Sequence, residues 1–489
     1  MSSWETSFSN STDSNSFREA DLTSATNPAV VTFIHLLLAA GVTAHALVHK
    51  RDAGSAMAWI GLAWLAPILG SVLYLLLGIN RVRRRAMSLR SNRLAVRVVE
   101  QARAGPRDDH LAPLACAGLS ITQRPLESGN AITILRNGDE AYPRMIAAIE
   151  AARRSVALSS YIFRADVAGI KFIDALSGAM KRGLDVRVLI DGFGGGYFRS
   201  ATYRRLRRAG VPVARFLHSP LPWRMPFLNL RTHKKVLGVD GRIAFTGGLN
   251  IGAENLTRRQ PRRPVFDTHF LFEGPVVAQL IDVFADDWFF ATGQQLAGDG
   301  WFPPMESAGD SVARAVTSGP DQDIEKIELM ILEAIACART SVKIMTPYFL
   351  PDERIITALA LASLRGVEVD VVLPERSNHP AVDWATRVQI GPLLAAGCRV
   401  WTHPPPFDHS KLMTVDGLWC LIGSANWDIR SFRLNFELDL EVYHAGLVQQ
   451  VNRRIVDRQE TRITADALAK RSLPVLLRDS AARLMLPYL

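Results

Sequence analysis

The sequence contains few cysteines, and none is spaced to share a metal with another. Four occur among 489 residues, at Cys116, Cys337, Cys398 and Cys420. Because no two of them form a CxxC pair, we expect reduced, structural cysteines and no metal cluster. A single reactive thiol is the alternative that this spacing leaves open.

Acidic side chains are outnumbered, with 47 Asp and Glu against 57 Lys and Arg and a formal net charge of +10. Such a charge favours an anionic partner, and nucleic acid, anionic lipid and phosphorylated metabolites all qualify. The sequence lacks a basic stripe interleaved with aromatic residues, which counts against a nucleic-acid partner. Its length exceeds that of one small domain and allows a sizeable core.

Long stretches without charge are confined to the N-terminal region. Residues 1–28 are rich in Ser, Thr and Asn and lack the positively charged start of a signal peptide, so we expect a retained, disordered tail. The stretches 29–48 and 56–79 are uncharged and long enough to cross a bilayer, which predicts two transmembrane helices within 29–80. Pro67 and Gly70 are expected to kink the second. A pair of buried core helices is the alternative.

Arginines after the second stretch predict how this hairpin is oriented. They are Arg81, Arg83, Arg84, Arg85 and Arg90, whereas the link between the stretches offers only Lys50 and Arg51 beside Asp52. The positive-inside rule then places both ends of the hairpin, and the rest of the chain, in the cytoplasm. We expect residues 81–120 to form a basic juxtamembrane linker, lying against anionic headgroups or simply solvated.

The remaining chain alternates strand-like and helix-like segments in two similar halves, 121–305 and 306–489. Tyr161 and Tyr348 lie as far apart as Gly210 and Gly397 do, which indicates an internal duplication. Apolar runs such as 186–190 and 369–373 are typical of parallel strands buried on both faces. The sequence therefore predicts an α/β fold of two halves with one site at their junction. Residues 473–489 are expected to form an amphipathic helix, on the membrane or over the core.

One short pattern occurs twice and carries the chemistry. Its spacing is H-x-K, four residues, D, six residues, then G-G-x-N or G-S-x-N. The first copy consists of His233, Lys235, Asp240 and Asn250, and the second of His409, Lys411, Asp416 and Asn426. On an extended strand, His and Lys two residues apart point to the same face. These residue types suit a phosphodiester, with histidines for attack and proton transfer and lysines and asparagines for the phosphate oxygens. The glycines are expected to let the backbone approach the ligand closely.

A nucleophilic histidine needs a carboxylate on its other ring nitrogen. Asp240 and Asp416 are candidates within the pattern, but each lies at a turn five residues beyond the lysine. Asp267 and Glu437 follow their motifs at similar places in the two halves. We therefore predict that each of these two orients the histidine of its own half, and that Asp240 and Asp416 brace the turns.

The doubled pattern resembles the duplicated HxKxxxxD signature of the phospholipase D superfamily, over most of residues 121–489. More narrowly, the two apolar stretches and the segments 229–233 and 423–437 are similar to bacterial cardiolipin synthases. Thr232 stands where that family usually has Asn, and Trp427 and Ile429 also depart slightly from its pattern. The resemblance implies a pseudo-twofold pair of mixed α/β halves that needs no metal or other cofactor.

The resemblance also implies a reaction in which one histidine attacks phosphorus and forms a covalent phosphatidyl-histidine. The other protonates the leaving alcohol and later deprotonates the incoming one. We assign attack to His233 and acid–base work to His409, with the opposite order left open. Phosphatidylglycerol, in the bacterial inner membrane, would be both donor and acceptor, giving cardiolipin and glycerol. A phospholipid hydrolase, a nuclease of the same superfamily and a non-catalytic scaffold are the alternatives. The oligomeric state is not predicted.

Overall fold

The structure, a computed structural model, describes residues 28–50, 53–75, 110–218, 230–320 and 323–484. The chain divides into two compact units, Met1–Arg84 and Arg85–Leu489. The predicted polar tail and the arginine cluster after the second apolar stretch lie outside the described residues, as does the end of the predicted C-terminal helix.

The N-terminal unit contains α1 (Pro28–His49), α2 (Ala53–Leu65) and α3 (Pro67–Leu73). Residues Ala29–His49 form a helix long and apolar enough to span a membrane. Most of its large apolar side chains are exposed within this unit, unlike those of a core helix. Across the described residues the second stretch does not form a continuous span, because the helix is interrupted before Pro67, whose ring removes a backbone donor.

Polar contacts hold the helices of this unit together. Nδ1 of His45 lies 2.8 Å from the Tyr74 hydroxyl, and Nε1 of Trp64 donates to Oγ1 of Thr43 over 3.1 Å. Ala46 and Ala63 are fully buried between the helices. The apolar stretches therefore pack as a helical unit with a polar seam, and their outer surface is apolar.

The C-terminal unit contains two halves whose principal strands and helices follow in the same order, with additional short elements in the second half. The first of its elements among the described residues is α4 (Ala112–Thr122). The first half comprises β1 (Glu127–Arg136), α5 (Asn137–Ala151), β2 (Ser155–Ser160), α6 (Val167–Lys181), β3 (Asp185–Asp191), α7 (Ala201–Arg208), β4 (Val213–Phe216), β5 (Arg231–Thr232), β6 (Val236–Val239), β7 (Ile243–Gly247), β8 (Val265–Phe266), β9 (Thr268–Glu273) and α8 (Val276–Thr292).

The second half comprises β10 (Ser311–Ser318), α9 (Lys326–Cys337), β11 (Ser341–Met345), β12 (Phe349–Leu350), α10 (Glu353–Leu364), β13 (Glu368–Pro374), α11 (Pro380–Gln389), α12 (Gly391–Ala395), β14 (Arg399–His403), β15 (Phe407–Asp408), β16 (Leu412–Val415), β17 (Trp419–Gly423), β18 (Trp427–Asp428), α13 (Ile429–Arg433), β19 (Asn435–Tyr443), α14 (Ala445–Val456), β20 (Thr461–Ile463), α15 (Ala465–Ala469) and α16 (Leu473–Leu484).

One continuous sheet joins the halves, in the order β20-β14-β13-β11-β16-β17-β19-β10-β1-β9-β7-β6-β2-β3-β4, with β5 added to β19. Counted outward from the antiparallel β1–β10 pair, the two halves have the same strand order apart from the extra β20. In each half three strands are parallel, namely β2–β3–β4 and β11–β13–β14. The predicted duplicated α/β fold is confirmed.

Local sequence signals explain why corresponding helices begin and end alike. The carboxylate of Asp166 accepts hydrogen bonds from the first turn of α6, and that of Asp352 does the same for α10. Both helices are followed by glycine, at Gly183 and Gly366, with φ of +82° and +93°. Glycine adopts this left-handed conformation without steric cost, so it ends each helix and releases the chain into the next parallel strand.

The prediction of a linker over residues 81–120 is wrong for its last part. Leu111 and Leu114 are fully buried in the core of the second half, beside Ile327 and Met330 of α9. Gly118 faces the guanidinium of Arg314 so closely that a Cβ would collide with it. Small residues such as Gly118 allow α4 to pack this tightly.

The C-terminal helix α16 partly covers the core. Ala482 packs with Val382 and Ala385 of α11, and the guanidinium of Arg478 lies 4.6 Å from the centre of the Trp384 ring. Leu473, at 67 % exposure, belongs to a part of the helix surface that is left open. Covering the core, one of the two predicted alternatives, is therefore correct for the inner face of α16.

The motif aspartates Asp240 and Asp416 occupy β-turns at the far ends of the motif strands, with φ of +54° and +53°. The Asp240 carboxylate accepts backbone hydrogen bonds from residues 153–155 at 2.7–3.2 Å. The Asp416 carboxylate accepts them from residues 339–341 at 2.7–2.9 Å and also contacts Nε2 of His110 at 2.6 Å. Each carboxylate therefore ties its turn to the start of a neighbouring parallel strand.

Asp416→Asn is expected to lower the free energy of unfolding by about 2–4 kcal/mol at neutral pH, because several hydrogen bonds to a charged acceptor are weakened. Burial alone raises the pKa of Asp416, but hydrogen bonds from Ser341, Arg339, Thr340 and His110 outweigh it and hold this pKa at about 2. A lowered pKa stabilises the fold above the unfolded value of 3.8, so the difference between wild type and variant should shrink as pH falls from 3.8 towards 2. Guanidinium unfolding of the detergent-solubilised wild type and variant measures this difference in unfolding free energy. A difference that stays constant between pH 3.8 and pH 2 would contradict the role assigned to the Asp416 carboxylate.

Candidate active site

Each motif histidine is held in place by the other half of the unit. The strand β5 pairs in parallel with β19, and the His233 amide donates to the Phe436 carbonyl over 2.8 Å. Reciprocally, β15 pairs with β8, and the His409 amide donates to the Phe266 carbonyl over 2.7 Å. The two imidazole rings are thereby brought to a centroid separation of 6.3 Å, nearly perpendicular to each other.

The carboxylates that contact the histidines are exchanged between the halves. Oε2 of Glu437 lies 2.9 Å from Nδ1 of His233, and Oδ2 of Asp267 lies 2.9 Å from Nδ1 of His409. The prediction that each carboxylate orients the histidine of its own half is therefore wrong. The reason is the strand exchange, since β5 lies beside the start of β19, which carries Glu437, and β15 lies beside β8, which precedes Asp267.

Further hydrogen bonds fix the carboxylate next to His233. Oγ of Ser424 donates to Oε2 of Glu437 over 2.6 Å, and Nδ2 of Asn435 donates to Oε1 over 3.1 Å. Nδ1 of His233 also lies 3.0 Å from the Ser424 carbonyl. With Nδ1 engaged in this way, Nε2 is the nitrogen of His233 that can reach a substrate.

The motif lysines lie directly behind the histidines. Nζ of Lys235 donates to the His233 carbonyl over 2.5 Å, and Nζ of Lys411 donates to the His409 carbonyl and lies 2.8 Å from Nδ1 of His409. Burial, the largest influence, lowers the pKa of Lys235 to about 7 and that of Lys411 to about 8, although Glu437 and Asp267 act in the opposite direction. A bound anion would favour the charged form of both lysines.

Both histidines are neutral near pH 7. Burial, followed by the charges of the lysines, lowers the pKa of His409 to about 4 and holds that of His233 well below its ordinary value. Burial also raises the pKa of Glu437 to about 7. A neutral imidazole has a free lone pair on one nitrogen, so the site holds two groups able to act as a nucleophile or base.

The motif asparagines and both histidines line a single cavity of about 1090 Å³ at the junction. Oδ1 of Asn250 accepts from the Ile162 amide over 3.1 Å, which leaves its amide nitrogen for a ligand. Nδ2 of Asn426 lies 3.3 Å from the Ser431 hydroxyl. The cavity is as large as the bigger small-molecule sites in proteins, so it can hold an extended substrate.

The motif aspartates and glycines lie outside the cavity. Asp240 and Asp416 belong to the catalytic motif by sequence, but each is engaged at its turn, as the bracing role predicted, and neither is among the cavity-lining residues. The motif glycines were expected to approach the ligand. A Cβ at Gly248 would instead collide with the Asp267 carboxylate, and one at Gly423 with Asp439. The glycines therefore give room to buried carboxylates.

Sequence reasoning missed several residues of the cavity wall. The ring of Tyr161 lies 5.0 Å from that of His233, and the ring of Tyr348 lies 6.2 Å from that of His409. Arg231 and Arg430 also line the cavity, one from each half. The equal spacing of the two tyrosines in the duplicated halves was a signal that could have found them. Among the described residues no group of three or more His, Cys, Asp or Glu is arranged to hold a metal.

Family models match both parts of the chain. The model described as cardiolipin synthase, PLD-like domain, matches residues 145–288 and 331–458. The model described as phospholipase D-nuclease N-terminal matches residues 29–78, which include the candidate membrane span.

Curated relatives match over nearly the whole chain. A cardiolipin synthase of Geobacillus kaustophilus is 32% identical over 456 residues, covering 90% of each chain. Cardiolipin synthase 1 of Bacillus cereus is 31% identical over 469 residues, covering 92% of each. Among solved structures, the phosphatidylserine synthase of Haemophilus influenzae has a TM-score of 0.60 at 15% identity, covering 77% of this chain and all of that one, which shows a shared fold.

The lysines make anion binding pH-dependent. We expect the affinity of the full-length protein for tungstate, a dianion at neutral and alkaline pH, to fall about tenfold between about pH 6.5 and about pH 9, because Lys235 and Lys411 lose their charge over this range. Calorimetric titration in detergent measures it. A double variant, Lys235→Met with Lys411→Met, should bind weakly and without this dependence. Equal affinity of the wild type at both ends of the range would contradict the role of the lysines.

Proposed function

The chain belongs to the cardiolipin synthase family of the phospholipase D superfamily, and from that premise we propose that it makes cardiolipin in a membrane. It is a phosphatidyltransferase that acts on phospholipids. In the proposed reaction, one phosphatidylglycerol donates its phosphatidyl group to a hydroxyl of a second, and glycerol leaves. The observation that carries this is the pair of carboxylate-bound histidines, 6.3 Å apart on one cavity.

In the first step, Nε2 of His233 attacks the phosphorus of the bound phosphatidylglycerol. A phosphorus–nitrogen bond forms as the phosphorus–oxygen bond to glycerol breaks, and His409 supplies the proton that the glycerol oxygen needs. His409 must take up that proton when substrate binds. Burial and then the charge of Lys411 lower the pKa of His409 in the empty site, and an anionic phosphodiester favours proton uptake because it offsets the lysine charge.

In the second step, the neutral His409 removes a proton from the hydroxyl of the second phosphatidylglycerol. The resulting oxygen attacks phosphorus, the bond to His233 breaks, and cardiolipin is released with both histidines restored. Water attacking in place of this alcohol would give phosphatidic acid, so the hydrolase differs from the transferase only in the acceptor. A cavity of about 1090 Å³ has room for the bulkier alcohol.

The remaining polar side chains of the site position these groups. Glu437 and Asp267 hold the Nδ1 hydrogen of His233 and His409, which directs Nε2 towards the phosphorus and stabilises an imidazolium. Lys235, Lys411, Asn250 and Asn426 bind the phosphoryl oxygens and stabilise the additional negative charge of the transition state. Asp240 and Asp416 act only through the fold.

The proposed location is the bacterial inner membrane. The helix Ala29–His49 supports an anchor, and the apolar residues 56–79 are proposed as a second crossing. The arginines between Arg81 and Arg90 favour a cytoplasmic C-terminal unit by the positive-inside rule. The substrate is then an anionic phospholipid of the same membrane.

Purified full-length protein, given labelled phosphatidylglycerol in detergent with a chelator of divalent metals, should produce cardiolipin and glycerol. His233→Ala should lower the rate by about 10³-fold or more. His444→Ala is the matched control, because His444 also contacts a carboxylate, Asp310 at 3.1 Å, but is not among the cavity-lining residues, and it should keep its activity. Phosphatidic acid as sole product would establish the hydrolase instead.

The order of the two histidines is tested by trapping the intermediate. In His409→Ala the covalent bond can still form slowly, while transfer to the acceptor is impaired. Quenching in cold denaturant at neutral pH, which preserves the acid-labile phosphorus–nitrogen bond, should therefore leave the labelled phosphatidyl group on His233. Peptide mass spectrometry locates the label. Each variant keeps one of the two motif histidines, and that histidine can carry the label only if it is the nucleophile. No label on His409→Ala together with label on His233→Ala would therefore reverse the assignment.

A further inference from the structure

One surface of the first half combines exposed aromatic and basic side chains, so the expectation that the sequence lacks such a combination is wrong for this segment. Phe193 and Phe198 are 51 % and 77 % exposed on the loop between β3 and α7. The arginines of this loop and of α7 are exposed beside them, at Arg199, Arg204, Arg205, Arg207 and Arg208. The segment 192–212 contains no acidic residue. We call these seven side chains the arginine–aromatic face.

The loop that carries the phenylalanines is closely fitted to the end of the sheet. The Asp191 carboxylate accepts hydrogen bonds from the amides of Phe193 and Gly194 over 2.9 and 2.8 Å. A Cβ at Gly194 would collide with the Tyr161 carbonyl, and one at Gly192 would lie 2.7 Å from the Phe216 carbonyl. Close packing beneath the loop therefore requires glycine at these two positions. The turn held by the Asp191 carboxylate leaves the Phe193 side chain exposed.

Comparison with the second half shows that the fold does not need the arginines of α7. Gly210 and Gly397 correspond, and four residues before each lies a leucine, Leu206 or Leu393, that is fully buried. The residues of the second half that correspond to Arg204, Arg205, Arg207 and Arg208 are Gly391, Pro392, Leu394 and Ala395. The helix therefore keeps its buried leucine in both halves, while a cluster of positive charge is specific to α7.

The face borders the cavity of the active site. Phe193 is one of the cavity-lining residues, and its ring lies 4.0 Å from the guanidinium carbon of Arg231, which lines the same cavity. An extended surface that contacted the arginine–aromatic face would therefore also reach the edge of the active-site cavity.

We propose that the arginine–aromatic face docks the C-terminal unit onto an anionic phospholipid bilayer. The arginines would contact headgroup phosphates, and the two phenylalanines would enter the boundary between headgroups and acyl chains. The inference rests on the proposed function, because the substrate of the neighbouring cavity is then a lipid of that bilayer. A lipid headgroup would pass from the docked surface into the cavity beside Phe193, without the lipid first leaving for water.

The kinetic test compares two forms of one substrate. The variant replaces Arg204, Arg205, Arg207 and Arg208 by Gln in the full-length protein. In vesicles of phosphatidylcholine with an increasing fraction of phosphatidylglycerol, the variant should need an approximately tenfold higher phosphatidylglycerol fraction for half-maximal rate. On dissolved, monomeric short-chain phosphatidylglycerol it should match the wild type.

A control variant removes equal charge from exposed positions of the second half, replacing Arg339, Arg453, Arg462 and Lys470 by Gln. It should behave as the wild type in both assays. Equal loss by the α7 variant on monomeric and vesicle substrate would place the arginines in folding or chemistry, and no loss in vesicles would likewise overturn the docking proposal.

A second readout does not depend on turnover. Phe198→Cys, labelled with an environment-sensitive dye in a Cys116→Ser background, should show a blue shift when the protein is reconstituted with phosphatidylglycerol and not with phosphatidylcholine alone. The same emission in both lipids would overturn the proposal. If the wild type makes no cardiolipin while the shift is seen, the proposed function fails and the docking surface stands.

Discussion

The active site depends on the pairing of two short strands with the opposite half. When β5 joins β19 and β15 joins β8, each histidine gains a backbone hydrogen bond and a carboxylate from the other half. The lysines and asparagines of the motifs then converge on the same cavity. Neither half alone provides its motif histidine with a carboxylate partner, so the catalytic arrangement exists only when the two halves are associated.

The same arrangement explains the electrostatics of the site. Two lysines, two histidines and two carboxylates are buried within a few side-chain lengths of one another, and burial dominates the pKa of Lys235, Lys411 and Glu437. Such a cluster is costly to desolvate without an anion. A phosphodiester adds negative charge beside the two lysines, which favours their charged forms, so the empty site is arranged for an anionic ligand and for its more negative transition state.

The sequence was sufficient to predict the features that repeat along the chain, but not the contacts that form between the two halves. The spacing of the motifs and of Tyr161 and Tyr348 was enough for the duplicated α/β fold and for the main residues of the site. The carboxylate partners were assigned to the wrong halves, because sequence separation says nothing about strand exchange. The role of α4 was missed for another reason: a short run of small residues has the same composition in a linker as in a tightly packed helix, and only the partner surface distinguishes them.

The exposed apolar features follow a similar division. Apolar length is visible in sequence, so the helix Ala29–His49 could be identified directly. The interruption before Pro67 was expected only as a kink, since a proline does not reveal whether neighbouring helices restore the lost backbone contacts. The exposure of the phenylalanines in the loop after β3 could be recognised only in the structure. Which side chains a glycine-rich loop exposes depends on the residues that pack beneath the loop.

The exchange of carboxylates also has an evolutionary consequence. A single half carrying one histidine would have found its carboxylate only on a second copy of itself, so the simplest ancestor of this fold is a symmetric homodimer. Fusion of two genes would have made the association permanent and freed each copy to change separately. The contrast between Arg204–Arg208 in one half and Gly391–Ala395 in the other is the kind of divergence that a homodimer, obliged to keep both copies identical, could never have accumulated.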